Sequence, residues 1–437
     1  MSPHFILLGS LFVFLIAGTP ISVALGLSGV IAIFFGLDMD AVANMGTIAY
    51  ASIAKYPLIA IPLFILTGMI FERSGVAERL VELSRAIIGP RRGGLALVAI
   101  LVCLIMGGMS GSGPADAAAV ATVMIPSMMK EGYPKAFSAS IIAASASTAI
   151  LIPPSIALIV YSIMVPGVDL RALFAAGLFP GLLAGLAIAV PAIIISRRQG
   201  FGAEGGAAEG GAAIRPPLGR SFVRALPGLF APVIILGGLR SGLFTPTEAA
   251  AVAVFYGLIV GLLLHRSMGL RDIYNVLAES AQISAVVMVI ISLAGIFAFA
   301  GSILGTFDVA AEYILSISDE PMIVLLLVMG LVLLAGMVLD GVSIYLIALP
   351  LLMPIMATLG WNQVWFGVLM AMNVAIGQFT PPVAVNLMVT ARIANVPIEA
   401  TMRWIIWPIL AMILSVGLVI AFPSIALWLP SVLGYKV

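Results

Sequence analysis

Apolar stretches of membrane-spanning length recur along the chain from residue 5 to the C-terminus. Many of them are long enough to cross about 30 Å of hydrocarbon as a helix. The alternating ten-residue pattern of a membrane β-barrel is absent from the sequence. The pattern therefore predicts an all-α polytopic membrane protein. The first apolar stretch runs past Pro20 to residue 35 without an Ala-x-Ala cleavage site, so we interpret it as retained, crossing either once as a kinked helix or twice.

Two Pro-Pro pairs interrupt apolar segments at equivalent places in the two halves of the chain. Pro153-Pro154 and Pro381-Pro382 are separated by 228 positions, an offset that other proline and glycine landmarks share. Each pair removes two backbone donors and disfavours helix immediately before it. Broken apolar segments at matching places in two halves indicate the binding site of a transporter. We therefore expect the functional site at these two breaks.

Charged residues are few, and they assign the apolar segments to sides of the membrane. Hydrophobic residues make up 62% of the 437 residues and charged residues 9%. Residues 197–220 are Gly-rich and flanked by arginines, which predicts a cytoplasmic linker between the halves. Threading upstream from this linker puts Arg91 and Lys135 on the same side of the membrane. The apolar stretch between them is therefore expected to be a re-entrant hairpin.

Matching loops of the two halves have opposite charge character. Residues 73–92 are rich in arginine, whereas 305–320 contain four acidic residues and no basic one. Loops on opposite sides require an odd number of crossings per half, which gives an inverted-topology repeat. We predict about five crossings plus one re-entrant hairpin in each half, with both termini outside. The first repeat is expected over 1–196. It comprises scaffold segments, an amphipathic arm helix at 75–89, the hairpin 94–129 and the broken helix 135–166. The second repeat is expected over 221–437, with a weaker surface helix at 271–282, the hairpin 321–358 and the broken helix 362–394.

The first hairpin tip combines helix-breaking glycines with hydroxyl side chains, in the sequence MGGMSGSGPAD at 106–116. Ser110 and Ser112 offer oxygen atoms. The carbonyl groups that end the first half-helix suit a cation, and the N–H groups that begin the second suit an anion. Asp116 follows the tip, where capping of the second helix is the competing interpretation.

The broken helices supply further oxygen atoms. In SASTAILIPPS, at 145–155, the Pro-Pro pair is expected to leave the carbonyl groups of 148–151 without intrahelical partners, as candidate sodium ligands. The second tip, GMVLDGVS at 336–343, and the second broken helix, NVAIGQFTPPVAVN at 373–386, carry different polar groups. Asp340 lies near mid-membrane, where it either binds a cation or pairs with a donor across the interface. Carbonyl and hydroxyl oxygens with few charges suit sodium better than a proton relay.

Several other function classes are disfavoured. The net charge of +1 implies no nucleic-acid partner, and the single Cys103 excludes an internal disulfide. No P-loop indicates ATP hydrolysis on this chain. The two histidines lie away from the hairpin tips, so an intramembrane enzyme lacks a base. The chain is not expected to be an enzyme.

The run GGLRSGLFTPTEAAAVAVFYG at 237–257, together with MSGSGPAD, ILIPPS and TPPVAVN, resembles the large membrane subunit of tripartite ATP-independent periplasmic (TRAP) transporters. The resemblance covers essentially the whole chain. It implies an elevator-type transporter that imports an organic anion, such as a dicarboxylate or sialic acid, by sodium symport across the bacterial inner membrane. It also implies two partners, a small four-helix membrane subunit and a periplasmic substrate-binding protein. Na⁺ is the expected co-transported ion, and no organic cofactor is expected.

In that family the hairpin tips and the broken helices form the sites, which fall here at 107–116, 145–155, 336–343 and 377–386. Two alternatives stay open: a stand-alone sodium/carboxylate symporter of related fold and, with less support, an ion channel. The substrate-binding candidates are Ser110, Ser112, Gly113, Ser155, Thr380 and Asn386. The sodium-binding candidates are Ser110, Gly111, Ser145, Thr148, Ala149, Leu151, Gly336, Asp340, Ser343, Gly377, Gln378 and Thr380.

Overall fold

The chain folds almost entirely into helices. The structure, a computed structural model, describes residues 3–37, 42–202 and 216–436, and none of these residues forms a β-strand. Most of the expected linker, 203–215, lies outside the described residues. Helices satisfy their own backbone hydrogen bonds, as a lipid environment requires. The prediction of an all-helical polytopic membrane protein is confirmed. Seven described helices, counted with their attached 3₁₀ and π turns, are long and apolar enough to cross a membrane: Tyr56–Arg73, Leu170–Gln199, Leu218–Arg240, Pro246–Leu264, Leu270–Ile303, Gly341–Leu359 and Ile398–Ala421.

Ten α-helices belong to the described part of the first half. A turn at 17–20 separates the first two, which pack against each other, so the opening apolar stretch is a helical pair rather than one kinked helix. They are α1 (Pro3–Ile16), α2 (Ile21–Gly36), α3 (Met45–Ile53), α4 (Ala60–Arg73), α5 (Val76–Ile88), α6 (Gly94–Ser110), α7 (Gly113–Lys130), α8 (Lys135–Ser147), α9 (Ile156–Met164) and α10 (Leu170–Gln199), with 3₁₀ turns at Tyr56–Ile59 and Thr148–Ile150.

Ten α-helices in the second half repeat this order at the 228-residue offset, so that α14 matches α5 and α15–α18 match α6–α9. The expected separate surface helix at 271–282 was wrong, because those residues are the first turns of a continuous 34-residue helix. The helices are α11 (Leu218–Arg240), α12 (Pro246–Ile259), α13 (Leu270–Ile303), α14 (Thr306–Leu315), α15 (Pro321–Gly336), α16 (Gly341–Leu359), α17 (Gln363–Gly377), α18 (Val385–Ala394), α19 (Met402–Ala421) and α20 (Ser424–Val432), with a π turn at Val260–Leu264 and a 3₁₀ turn at Ile398–Thr401.

The helices pack into two groups. The long helix α13 packs against α2, α3 and α4, and α12 packs against α4 and α11; we call α1–α4 and α11–α13 the frame. The hairpins and broken helices pack with α10, α19 and α20; we call α6–α10 and α15–α20 the inner bundle.

The two repeats interlock inside the inner bundle. Helix α18 of the second repeat packs against α7 and α8 of the first, and α9 of the first packs against α16 and α17 of the second. At the second of these contacts the rings of Tyr161 and Tyr345 meet edge to face, 6.0 Å between centroids. The Tyr161 hydroxyl also donates a 2.7 Å hydrogen bond to the carbonyl of Gln363. The inner bundle is therefore one body built from both halves.

Both ends of the first hairpin form hydrogen bonds with residues 201–202. The amide of Gly93 donates to the carbonyl of Phe201 at 3.4 Å, and the amide of Gly202 donates to the carbonyl of Glu131 at 3.2 Å. The Phe201 ring packs against the Phe137 ring, 5.4 Å between centroids. The hairpin α6–α7 therefore enters and leaves the inner bundle at the end where the stretch 197–220 begins.

The amphipathic helix α5 connects the frame with the inner bundle. Its buried side, which includes Val76, Leu80 and Leu83, packs against α11 of the frame and against α6 and α7. An ion pair of 3.4 Å between Glu82 and Arg224 adds to its contact with α11. Its counterpart α14 packs against α16 of the inner bundle and against α13. Each repeat therefore has one short helix that contacts both groups.

Candidate functional site

The first hairpin turns at Gly111 and Ser112, against the first helix break. Gly111 has φ +59°, and a Cβ atom there would lie 2.2 Å from the carbonyl oxygen of Pro154. Only glycine allows this approach. Ser112 is the extended N-cap of α7, and its side chain accepts no capping hydrogen bond. In the part of the chain that the structure describes, no side chain therefore caps the first amides of α7.

Asp116 places a buried carboxylate beside this tip. It is fully buried. Its Oδ1 accepts a 2.7 Å hydrogen bond from the Ser110 hydroxyl, which in turn accepts one of 3.2 Å from the Ser112 amide. Its Oδ2 has no hydrogen-bond partner among the described residues. The capping interpretation of Asp116 was wrong. A buried carboxylate with one unpaired oxygen is costly unless a ligand or a proton compensates it.

The first tip also contacts the second broken helix. A Cβ atom at Gly113 would lie 2.5 Å from Oε1 of Gln378 and 2.9 Å from Nδ2 of Asn386. The backbone amide of Asn386 donates to the carbonyl of Gln378 at 2.9 Å, which holds the two residues together. Within the described chain, Oε1 of Gln378 and Oδ1 of Asn386 are buried without partners. With Oδ2 of Asp116, three unpaired oxygen acceptors from both repeats lie around this tip.

Gln378 lies between the two hairpins. A Cβ atom at Gly341, the first residue of α16, would lie 3.7 Å from the Nε2 atom of Gln378. Gly341 is the counterpart of Gly113 at the 228-residue offset, so equivalent glycines of the two hairpins face one side chain. Gly341 lies within the predicted site range 336–343 but is not among the individual candidate residues, although the offset from Gly113 identifies it.

The second tip has a different chemistry, because Asp340 caps α16. Its Oδ2 accepts hydrogen bonds from the amides of Val342 at 3.1 Å and Ser343 at 3.2 Å, and its Oδ1 accepts one from the Ser343 hydroxyl. Among the described residues, the hydrogen-bond partners of Asp340 thus belong to its own helix and not to the opposite side of the interface. The equivalent position in the first repeat is Ser112, which makes no such cap. The N-terminus of α7 is thus open, whereas that of α16 is covered by a carboxylate.

Backbones approach each other closely at the second tip. A Cβ atom at Gly377 would lie 2.5 Å from the carbonyl of Gly336. The amide of Val383, just after the second Pro-Pro pair, donates to the carbonyl of Met337 at 3.1 Å. The Thr380 hydroxyl donates to a carbonyl of its own helix at 2.6 Å. This tip is therefore fixed to its broken helix by main-chain contacts.

Both Pro-Pro peptide bonds are cis, and both interrupt their segments. At the first break, two carbonyl groups expected to be free are occupied. The Thr148 carbonyl accepts hydrogen bonds from the amides of Leu151 at 2.9 Å and Ile152 at 3.2 Å. The Ile150 carbonyl accepts one from the Ser155 hydroxyl, whose oxygen also caps α9. The expectation was wrong for these two groups for different reasons: the amides that donate to the Thr148 carbonyl precede the prolines and are retained, whereas the Ser155 hydroxyl replaces the donor that Pro154 lacks at the Ile150 carbonyl.

The remaining candidates at the first break face different neighbours. The Leu151 carbonyl faces α10, where a Cβ atom at Gly177 would lie 2.4 Å from it, and Ala149 faces Gly107 of α6. The hydroxyls of Ser145 and Thr148 donate to carbonyls of their own segment at 2.6 Å. The structure brings together Ser110, Gly111, Gly113, Ser155, Gln378 and Asn386 around the first tip, and it pairs Gly336 with Gly377 and Asp340 with Ser343.

The sequence matches a known family over most of its length. Residues 8–425 match the family described as tripartite ATP-independent periplasmic transporter, DctM component. The chain belongs to this family. It is 37% identical over 411 residues to the C4-dicarboxylate TRAP transporter large permease protein DctM of Pseudomonas aeruginosa, covering 94% of each chain. The resemblance to TRAP large membrane subunits is confirmed.

Two further relatives are also permeases rather than enzymes. The chain is 32% identical to the sialic acid TRAP transporter large permease protein SiaM of Vibrio cholerae, covering 98% of this chain and 100% of that protein. It is 36% identical over 435 residues to the isethionate TRAP transporter permease protein DctMQ of Oleidesulfovibrio alaskensis. That match covers 98% of this chain and spans 66% of the DctMQ protein.

Solved structures of low sequence identity share the fold. The Alcanivorax borkumensis YdaH transporter superposes with a TM-score of 0.61 at 15% identity, covering 98% of this chain and 100% of that chain. The Neisseria gonorrhoeae MtrF protein superposes with a TM-score of 0.58 at 14% identity, covering 95% and 94%. These similarities support a membrane-transporter fold for a DctM-family chain.

Proposed function

We propose that this chain is the membrane-translocating subunit of a sodium-driven importer of an organic anion. Relatives are named for transport of isethionate, C4-dicarboxylate and sialic acid. These compounds differ in size and polarity, but each carries a sulfonate or a carboxylate. The shared anionic group supports an organic anion as the substrate class of this chain.

The observation that carries the proposal is the polar cluster at the first hairpin tip. Asp116, Gln378 and Asn386 each present a buried oxygen without a partner among the described residues. Oxygen ligands suit a hard cation such as sodium. The open N-terminus of α7 lies at the same tip and favours an anion. Sites for opposite charges are therefore adjacent.

This adjacency provides a physical basis for coupling. An anion near the Asp116 carboxylate is unfavourable unless a cation lies between or beside them. A bound sodium ion stabilises both negative groups, so the fully loaded inner bundle carries less net charge than a partly loaded one. Moving uncompensated charge through the bilayer is costly. Translocation is therefore expected only with anion and sodium bound together.

The packing supports an elevator movement of the inner bundle against the frame. Reciprocal contacts between α18 and α7 and between α9 and α16 make the inner bundle one body. Helices α5 and α14 contact both groups and are the proposed connections between them. The two repeats are proposed to be inverted with respect to the membrane, on the charge pattern of their loops.

The family description as tripartite supports two further components. We propose that they are a small four-helix membrane subunit and a periplasmic binding protein that delivers the anion, in the bacterial inner membrane. The stand-alone symporter differs in needing no binding protein, and the ion channel differs in needing no sodium gradient.

Uptake by proteoliposomes tests these proposals. The chain would be reconstituted with the proposed small membrane subunit, and labelled isethionate, succinate and sialic acid would be supplied with the proposed periplasmic binding protein. We expect uptake of one anion that requires an inward sodium gradient and the binding protein. Uptake that persists without sodium at an unchanged proton gradient would falsify sodium coupling. Uptake without the binding protein would establish the stand-alone symporter instead.

A further inference from the structure

A cavity of about 460 Å³ lies between the frame and the inner bundle, and none of the residues with the three unpaired oxygens lines it. One wall is the last two turns of α11, from Pro232 to Arg240, and the opposite wall is the first turns of α10, from Arg171 to Leu178. The C-terminal segment closes it with Leu429 and other residues up to Tyr435. Its volume falls within the usual range of small-molecule sites.

The interior of this cavity is apolar. Phe174, Leu178, Leu236 and Leu429 line it, and Pro153 of the first helix break contributes as well. A small hydrophilic anion would lose its hydration here without gaining hydrogen bonds, which is costly. A hydrocarbon chain gains free energy from the same surroundings, because apolar surface leaves water. The lining therefore selects an acyl chain over the proposed transport substrates.

The ends of the two helices add positive charge to this apolar cavity. Arg240 is the last residue of α11 and Arg171 the second residue of α10, and both line the cavity. Arg171 pairs with Asp169 at 2.9 Å and lies 5.7 Å from the Tyr435 ring centroid. Arg240 is exposed, and its side chain makes no hydrogen bond or ion pair with any described residue. Guanidinium groups bind phosphate through parallel hydrogen bonds.

We propose that this cavity binds a phospholipid, with an acyl chain between α10 and α11 and the headgroup phosphate on Arg240 and Arg171. Basic pockets between transmembrane helices recognise lipid headgroups in this way. The apolar lining and the unpaired Arg240 guanidinium together suit an amphiphile with an anionic head. Lipid binding at this position is independent of the identity of the transported anion and of the coupling ion.

Native mass spectrometry of the purified chain, together with any subunit that co-purifies, tests the proposal. The probes are phosphatidylglycerol and a diacylglycerol with the same acyl chains. We expect Arg240→Gln to weaken phosphatidylglycerol binding about fivefold and to leave diacylglycerol binding unchanged. Leu236→Trp, which fills the cavity, is expected to weaken both. Arg198→Gln is the matched control, since Arg198 is an exposed arginine in the last turn of α10 and does not line the cavity.

Two results would overturn the proposal. One is equal phosphatidylglycerol binding by the Arg240→Gln and Arg198→Gln variants. The other is undiminished binding of both probes by the Leu236→Trp variant. Thermal unfolding of each variant without added lipid shows that the fold is retained, and Leu429→Trp replaces Leu236→Trp if that variant unfolds.

Discussion

A single methyl group at Gly113 should separate the first hairpin tip from the second broken helix. In the Gly113→Ala variant, the new Cβ atom would lie 2.5 Å from Oε1 of Gln378 and 2.9 Å from Nδ2 of Asn386. Both distances are well below van der Waals contact, so the neighbouring side chains must shift. Gly113 has no positive φ angle, and the substitution therefore introduces no backbone strain.

The cost of this substitution should fall on the site rather than on the fold. Adding a methyl group to a well-packed position costs about 1–3 kcal/mol. The Gln378 carboxamide is the free end of a flexible side chain and can rotate away, and alanine in a helix is favoured over glycine by about 0.5–1 kcal/mol. The free energy of unfolding should therefore change by less than about 1 kcal/mol. If the packing cost of about 1–3 kcal/mol destabilises the contact between the first tip and Gln378 that transport requires, the uptake rate falls about 5- to 150-fold.

Initial rates of anion uptake and thermal unfolding of the same preparation measure the two effects separately. Gly330→Ala is the matched control, because Gly330 lies inside helix α15 of the other hairpin and an added Cβ atom there meets no atom within 4 Å. We expect control uptake close to wild type. Equal uptake by the Gly113→Ala and Gly330→Ala variants would refute the reasoning, since the closure of the first tip onto Gln378 would then be irrelevant to transport.

Three further predictions concern other parts of the molecule. Asp116→Asn, which replaces a fully buried carboxylate, should reduce sodium-dependent uptake more than tenfold. Asp340→Asn should retain most uptake, because asparagine caps helices as well as aspartate does. Similar losses of uptake in both variants would contradict this difference. Burial lowers the pKa of His265 from its usual 6.5. The unfolded chain therefore binds a proton at His265 more readily than the folded chain does, and the free energy of unfolding falls as the pH drops below about 6.5. Thermal unfolding between about pH 7.5 and 5.5 should therefore show a flatter dependence for His265→Gln, and parallel curves would be inconsistent with it. Gly377→Ala places a Cβ atom 2.5 Å from main-chain atoms that cannot rotate away, and it should destabilise the protein by about 1–3 kcal/mol relative to Gly417→Ala, whose Cβ atom meets open space. A lower melting temperature for Gly417→Ala than for Gly377→Ala would disprove this.

The helical architecture could be predicted from the sequence because a segment in lipid must satisfy its own backbone hydrogen bonds. Long apolar stretches must be helical, and prolines at 153–154 and 381–382 must interrupt them, so the helix breaks follow from the residues alone. The constant 228-residue offset then related the helices of one half to those of the other. Residues 271–282 were misassigned because their amphipathic pattern is local, whereas their continuation into α13 depends on packing against α2 and α4.

The roles of the two aspartates could not be deduced from the sequence. Asp116 lies in the first turn of a helix, where a capping role is the usual expectation, yet its carboxylate contacts Ser110 on the other side of the turn. Asp340 immediately precedes its helix and does cap it. The difference depends on how each chain turns between its two half-helices. The contact of Gly113 with Gln378 and Asn386 also joins residues more than 250 positions apart, which only the fold brings together.

The reciprocal packing of the two repeats has a counterpart in domain-swapped homodimers. Because α9 packs against the hairpin of the second half and α18 against that of the first, a single repeat on its own would leave one face of its hairpin and one short helix uncovered. Two copies of one repeat would cover both faces by exchanging these short helices, as domain-swapped homodimers do. The two halves are therefore packed as the subunits of a homodimer with exchanged helices would be. Unlike the subunits of a homodimer, two halves in one chain can differ at equivalent positions, as Ser112 and Asp340 do.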